Sequence, residues 1–522
     1  MVKTSINNGL NFNKFPNTHC DIHALLYTPT GDLLIGCDGG LYRYNSASNI
    51  CIDISDSLSI AQVYGVDSYS DEEGENERIV IGTQDCSSMI YDLNLYPNNE
   101  WGCEDDGDGN RCQISKNNKD IAYISYGYSS AGYIHRSSFI TNSETALDFT
   151  TIYVPWESGE SHNYNFPLKL EPTSDNLIYT GGTNIYKKDC SNTSNQWQPV
   201  GNFHSLFNIP YGDAHELSSI AICPYNPSYI YAGYFTYLWG DFQYEKSIFR
   251  TCDGGATWNT IANGLYTPLA HSNLSYLMVD PKVPNTAFVT FQNIDGEDYN
   301  KVFRGNPENN SYTWNDISEG LPKDAAANCI ATDSSLNGSL YLGTHQGIYY
   351  RNENMNQWIK FSEGLPNIPV WDISYNFNEN ALYAGTIGRG VWKCKLCWLE
   401  ETQFIVDENL TFNTKKNVHQ NIIINPEKTL TINNDMTFAD NASITVKKGA
   451  SLIIDGCKLT SRCGFWQGIV VEGDPNELQS TQGYVELKNG AIIENAVTGI
   501  SSPNGGVVKV DNSTFHNCIT GI

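Results

Sequence analysis

The chain of 522 residues is short of positive charge: 31 Lys and Arg stand against 58 Asp and Glu, a net charge of −27. A field of that sign repels phosphate backbones and anionic membrane surfaces, so no nucleic acid is expected as a partner. Charge of either sign is sparse, at 17%, where about a quarter is usual. Helical proteins carry their solubility on Glu, Lys and Arg, so this scarcity argues against a helical fold. No apolar run approaches the roughly 18 residues of a membrane span, and no membrane insertion is expected. The opening residues, MVKTSINNGL, have neither a basic stretch nor an apolar core, so no signal peptide is visible in this chain. What is present is a surface of Asn, Ser, Thr and 32 Tyr, with 12% aromatics and 40% hydrophobic residues. That is the profile of an all-β protein with large cores, and it excludes disorder. The length allows three or more units of roughly 100–200 residues, or one large repeat domain with an appendage.

Fifteen Cys is an odd number, so complete pairing within the chain is impossible. Cys103/Cys112 and Cys457/Cys463 bracket short loops and are candidates for local disulfides. Cys394-x-x-Cys397 lacks a second pair, which leaves little for zinc. This cysteine content points to an extracellular or cell-surface location.

One unit recurs through the first three quarters of the chain. Leu340-Tyr341-Leu342-Gly343-Thr344 leads into Gly347-Ile348-Tyr349-Tyr350-Arg351, and Leu382-Tyr383-Ala384-Gly385-Thr386 into Gly390-Val391-Trp392-Lys393. Closing strands repeat as Trp258…Ile261…Gly264-Leu265, Trp314…Ile317…Gly320-Leu321 and Trp358…Phe361…Gly364-Leu365. Four short strands per unit, separated by Gly, Asn and Asp turns, are the pattern of a β-propeller blade. Eight opening strand sets are expected near residues 22, 62, 120, 167, 217, 274, 327 and 370. The last set has no closing strand after it. Ile6 and Gly9-Leu10 sit at the spacing of Ile261 and Gly264-Leu265, so either the N-terminus closes the ring or Met1 begins in mid-protein.

Thr251-Cys252-Asp253-Gly254-Gly255-Ala256-Thr257-Trp258 matches the Asp-box S/T-x-D-x-G-x-T-W. In such a loop Asp accepts backbone N–H bonds, Gly takes the turn dihedrals and Trp anchors the hairpin. On these residues the segment resembles the Asp-box (BNR-repeat) β-propellers, a group that includes sialidases, xyloglucan-cleaving hydrolases and sortilin-type ectodomains. It looks most like the sortilin-like secreted bacterial type, through His19-x-Asp21-x-His23, Cys37-Asp38-Gly39-Gly40 and Gly82-Thr83-Gln84-Asp85. The resemblance implies a propeller of about eight blades over residues 1–396; the Asp-box itself is structural and names no chemistry.

After Cys397 the texture changes. A linker is expected at 397–412, followed by a parallel β-helix over 413–522. Ile493-Glu494-Asn495-Ala496-Val497-Thr498-Gly499-Ile500 recurs as Phe515-His516-Asn517-Cys518-Ile519-Thr520-Gly521-Ile522, an offset of 22 residues. Stacked coils at that period would lay Asn495 over Asn517 as an amide ladder. The segment resembles β-helix modules of large secreted bacterial proteins. It ends on a completed repeat without a polar cap, so the natural protein is expected to continue.

The residues that bear chemistry are few. His19, Asp21 and His23 alternate, so on a strand they face one way as candidate ligands of a transition metal. Glu104-Asp105-Asp106-Gly107-Asp108 has the spacing of a calcium loop, but the twelfth position from Asp106 is Asn117 rather than Glu. A glycoside hydrolase needs two facing carboxylates, for which Asp38 and Asp85 are candidates, with Asp213 and Asp295 behind them. A sialidase would need three converging Arg. Of the nine here, Arg43, Arg136, Arg250, Arg304 and Arg351 occupy the third-strand repeat position, Arg462 lies in the second unit, and Arg78, Arg111 and Arg389 have no sialidase-like context. Phe235, Tyr237, Trp239 and Phe242 form an aromatic insert that would stack on sugars or on a protein. No serine-hydrolase, Walker or zincin motif is present. The expectation is a non-catalytic extracellular scaffold that binds glycans or proteins, with a polysaccharide-active glycoside hydrolase as the alternative. No cofactor is expected beyond calcium or a transition metal at these clusters.

Overall fold

The computed structural model describes every residue except 1–2, 5–12, 15–18, 20, 56–57, 72–75, 97–100, 104–106, 128–131, 139–147, 157–159, 161, 163, 193, 208, 210–214, 237–247, 266–271, 294–299, 309–310, 337 and 462–463. Among the described residues, eight antiparallel sheets follow one another along 22–395, seven of four strands and the last of three. The chain is all-β, and these sheets fit a β-propeller. We number them first to eighth in chain order. The first strands of the second to eighth sheets are Val63–Tyr69, Gly109–Ile114, Leu168–Leu170, His215–Ile222, Ser272–Val279, Ala327–Thr332 and Val370–Asn376. They pack in that order, and the last returns to the first, so these seven sheets close on one another.

Alternation explains the packing. In the seventh sheet, Tyr341 and Tyr349 turn to opposite sides, each into a core shared with a neighbouring sheet. The Asp-box hairpin has the expected geometry. Asp253 Oδ1 accepts Thr257 N at 2.9 Å and Oδ2 accepts the Thr257 hydroxyl at 2.6 Å. Gly254 and Gly255 take φ of +72° and +99°, and Trp258 Nε1 donates to the Val200 carbonyl of the preceding sheet at 3.0 Å. Side-chain hydrogen bonds from Thr257 and Thr251 hold the Asp253 carboxyl down to about 2. Because the folded value is depressed, these bonds persist above the unfolded value of about 3.9 and are lost only as pH falls through the folded one. The Asp253 carboxyl carbon signal in NMR is expected to titrate near pH 2, and Thr257→Ala to move its midpoint upward.

Three expectations change. The third sheet opens at Gly109, not near 120, because the polar run Gly109–Ile114 is its innermost strand. Cys103 therefore ends the outermost strand of the second sheet while Cys112 lies on the innermost strand of the third; no disulfide joins them, and Cys112 is free. Cys457 is also free and points its thiol at the Ile432 carbonyl; Cys463 lies outside the described residues. Cys397 is disulfide-bonded and Cys394 is free, so the Cys-x-x-Cys pair is not an intact thiolate pair for zinc. The segment Ile6–Leu10 expected to close the ring lies outside the described residues. The closing seam itself is made by the second and eighth sheets. Val63 and Val66 pack on Ala381 and Tyr383, Val66 N donates to Asp372 Oδ2 at 3.1 Å, and Ser374 Oγ donates to Asp67 Oδ1 at 2.6 Å. The first sheet stands beside this seam, with Leu25, Leu26 and Tyr27 of its opening strand exposed.

From Gln403 onward the chain winds through three parallel sheets of five strands, each turn of the coil giving one strand to each sheet. Ile422 pairs Ile444 and Leu430 pairs Leu452, both inward and buried, at the 22-residue offset. Residues 397–412, expected as a linker, already hold two strands of the first turn, Gln403–Val406 and Leu410–Phe412, because Val406 and Phe412 bury into that core. Asn517 Nδ2 donates to Asn495 Oδ1 at 2.6 Å, both residues having positive φ. Ring and coil meet at a buried junction. His419 Nε2 lies 2.9 Å from Asp333 Oδ2, Trp398 stacks on the His419 ring at 4.6 Å, and Leu336 of the seventh sheet enters the coil's core.

Candidate functional site

Three places gather polar chemistry. The first is the axis of the ring, which ion pairs fill. Asp67 accepts Ile114 N at 2.9 Å and Lys116 Nζ at 2.7 Å, Arg111 Nη1 stands 3.8 Å from Asp372 Oδ1, and Lys169 Nζ donates to the Tyr276 hydroxyl at 3.3 Å. Burial pushes the Asp372 carboxyl up, and Arg111 and Lys169 oppose it. The Asp67 contacts join neighbouring sheets, whereas Arg111–Asp372 and Lys169–Tyr276 reach across the axis from the third sheet to the eighth and from the fourth to the sixth; all of them read as structural cement.

The second place lies on the face that carries the hairpins between second and third strands. Asp38 sits in the hairpin of the first sheet and Asp85 in that of the second. Asp85 and Ser87 take positive φ, of 57° and 67°, which turns this loop toward the first sheet. Asp21, at φ +51°, completes a group in which carboxylate oxygens of Asp21, Asp38 and Asp85 all lie within 4.8 Å of one another. The expected His19/Asp21/His23 set does not converge. The positive φ of Asp21 and a register shift between Ile22 and Ala24 break the alternation. His23 Nε2 instead pairs with Asp38 Oδ1 at 2.6 Å, and His19 Nε2 lies 2.9 Å from the Asp85 carbonyl. Burial, with Asp108 and Asp38 adding to it, raises the Asp85 carboxyl. Three carboxylates suit a hard cation such as calcium better than a transition metal.

The third place is on the opposite face, between the sixth and seventh sheets. A cavity of about 350 Å³ is lined by Lys282, Arg304, Arg351, Asp280 and Glu353 over an apolar floor that includes Phe288. Its size falls within the range of about 300–1,000 Å³ of small-molecule sites. It was not anticipated from the sequence, where Arg304 and Arg351 read as structural third-strand residues.

No family model matches the chain, and no curated protein matches it. Among solved structures it is similar to the β-propeller domain of Cps50 (Swd1) from Myceliophteria thermophila, at 10% identity and a TM-score of 0.45 over 66% of this chain and all of that one. At that score the likeness says nothing of what this chain binds.

Of the aromatic insert, Phe235 lies in the strand Ile230–Thr236, paired with Glu216, and Tyr237, Trp239 and Phe242 lie outside the described residues. So do Asp213, Asp295 and the acidic run Glu104–Asp106. The three arginines without a repeat role lie apart: Arg78 is buried against Asp92, Arg111 reaches the axis, and Arg389 bonds the Gly388 carbonyl in an exposed hairpin.

Proposed function

We propose that the protein is a non-catalytic binding or adhesion scaffold that acts outside the cell on glycans or proteins, built as an Asp-box propeller carrying a parallel β-helix module. The observation that carries this reading is the cavity between the sixth and seventh sheets. Charged hydrogen-bonding groups ring it and Phe288 with Met278 and Leu340 supply apolar surface, which is the mixture that a sugar ring, polar at its rim and apolar on its C–H face, requires. Incubating the full chain with panels of host and plant glycans, read for both binding and released reducing ends, is expected to show binding without cleavage.

A second reading, a polysaccharide-active glycoside hydrolase, has one observation in its favour. Asp85 has a raised carboxyl pKa beside Asp38, as a general acid next to an ionised partner would. Their oxygens within 4.8 Å come near the retaining spacing of about 5–5.5 Å, although His23 holds one oxygen of Asp38. Release of reducing ends that disappears in Asp85→Asn would put this reading first.

A further inference from the structure

The repeat itself shows what is unusual about the cavity. At the third-strand arginine position, Arg136 of the third sheet donates from Nη2 to Asn176 Oδ1 of the fourth at 2.9 Å. Arg250 of the fifth sheet donates from Nη1 to Asn285 Oδ1 of the sixth at 3.2 Å. Asn176 and Asn285 each lie five residues before one repeat position, held by Gly181 in the fourth sheet and Thr290 in the sixth, and by Gly343 in the seventh. Counted the same way, the partner of Arg304 in the seventh sheet is Gly338, which has no side chain to offer. Arg304 Nε, like Arg250 Nε, is buried and finds no hydrogen-bond partner among the described residues, so the difference between the two lies in the missing asparagine. Its Nη2 stands 3.9 Å from Asp280 Oδ2 and 3.7 Å from Glu353 Oε1, beyond hydrogen-bond reach.

The surroundings hold more positive charge than these two carboxylates answer. Arg304, Arg351 and Lys282 line the cavity, and Lys416 of the coil lies behind Lys282. Burial pulls the Lys416 ammonium down to about 8, Lys282 adds to the fall and Asp280 opposes it. Burial likewise lowers Lys282, against the pull of Glu353, Asp280 and Asp333 and helped by Arg304. A guanidinium with an unsatisfied Nε, in a pocket whose lining carries three cations against two carboxylates, favours an anion. The two carboxylates limit which anion. They repel a phosphate dianion, but they accept hydrogen bonds from hydroxyls. The guanidinium of Arg304 lies over the Phe288 ring at 5.8 Å and covers that aromatic face, so the apolar lining left for sugar C–H groups is Met278, Ile317 and Leu340.

We propose that this cavity binds a hexuronic acid residue of an acidic glycan, with the sugar carboxylate on Arg304, hydroxyls on Asp280 and Glu353, and the sugar's C–H face against Met278 and Leu340. The proposal rests on the scaffold reading and names the ligand class of that site.

The test uses the full chain, titrated by calorimetry and ligand-observed NMR with glucuronate, galacturonate, glucose and inorganic phosphate. A uronate is expected to bind at least tenfold more tightly than glucose or phosphate. Arg304→Gln is expected to weaken it at least tenfold. Gly338→Asn restores the side chain that the other repeats carry. Gly338 has φ +66°, which Asn tolerates, and an added Cβ would meet only the flexible Glu353 side chain at 2.9 Å. This variant is expected to fill the cavity, pair with Arg304 and abolish uronate binding while its thermal unfolding stays that of the wild type. Uronate binding untouched by both substitutions would overturn the proposal, as would phosphate binding as tightly as a uronate. Binding of neutral glycans alone would overturn it and leave the scaffold reading standing, whereas silence from the whole glycan panel would remove the glycan half of that reading as well.

Discussion

Arg78→Ala is expected to lower the unfolding free energy by about 3–5 kcal/mol, the usual loss when one partner of a buried ion pair is removed. Arg78 and Asp92 face each other across the second and third strands of the second sheet, each with a side chain only 1% exposed. Arg78 Nε donates to Asp92 Oδ2 at 2.7 Å, and its Nη1 reaches across to the third sheet, to the Lys119 carbonyl at 2.5 Å and Asp120 Oδ1 at 3.1 Å. One guanidinium thus ties two sheets, and no shorter or single-headed cation spans the same acceptors. Arg78→Lys should therefore recover little. Combining Arg78→Met with Asp92→Asn should recover most, because the stranded carboxylate is gone while Asn still caps the turn at Asn94 N. Urea unfolding followed by tryptophan fluorescence measures all three, and a single mutant within about 1 kcal/mol of the wild type would show that the pair is not holding these sheets.

Raising the pH is expected to loosen the junction between ring and coil. His419 and Asp333 are 1% and 0% exposed. Burial disfavours the imidazolium, but the hydrogen bond and charge of Asp333, with Glu400 adding to them, overcome it and raise the His419 pKa. A raised folded value stabilises fully below the unfolded pKa of about 6.5 and is lost as pH climbs through the folded one. Each unit between the two is worth about 1.4 kcal/mol. Differential hydrogen exchange across residues 398–420 should show protection falling as pH rises above about 6.5. His419→Gln should make that protection lower and flat with pH, and a pH dependence that survives the substitution would assign it to another group. Tyr350, Asn352 and Gln420 all bond Glu400 at the same junction, so the loss is expected to spread along these contacts rather than stop at one side chain.

The parts of the fold legible from sequence were those that repeat. Glycines and tyrosines at matched spacing placed the sheets, and the 22-residue echo of Ile493–Ile500 at Phe515–Ile522 placed the asparagines that bond each other. The Asp-box was readable because each of its residues has a local task in one hairpin. What escaped depended on departures from the repeat. The innermost strand Gly109–Ile114 has a polar sequence because it faces the ion-paired axis, so no apolar run announced it. The alternation of His19, Asp21 and His23 assumed an extended backbone, and the left-handed turn at Asp21 undoes it. Asp38 and Asp85 were legible as carboxylates beside strands, but their meeting with Asp21 depends on where the first sheet stands. Gly338 was the missed signal: aligned against Asn176 and Asn285 it marks the one arginine of the three whose partner has been deleted.

The parallel coil also has a mechanical consequence. Strands in each of its sheets stack at about 4.8 Å, whether a turn takes 18 residues, from Gln403 to Asn421, or 34, from Lys458 to Ile492. Distance from the ring therefore grows in proportion to the number of turns, along a single axis, without the coiling of a flexible tether. A deletion or duplication of one turn would shift whatever the ring holds by one strand spacing while leaving the ring's own contacts unchanged. Reach is set here by counting, in the way that rungs set the height of a ladder.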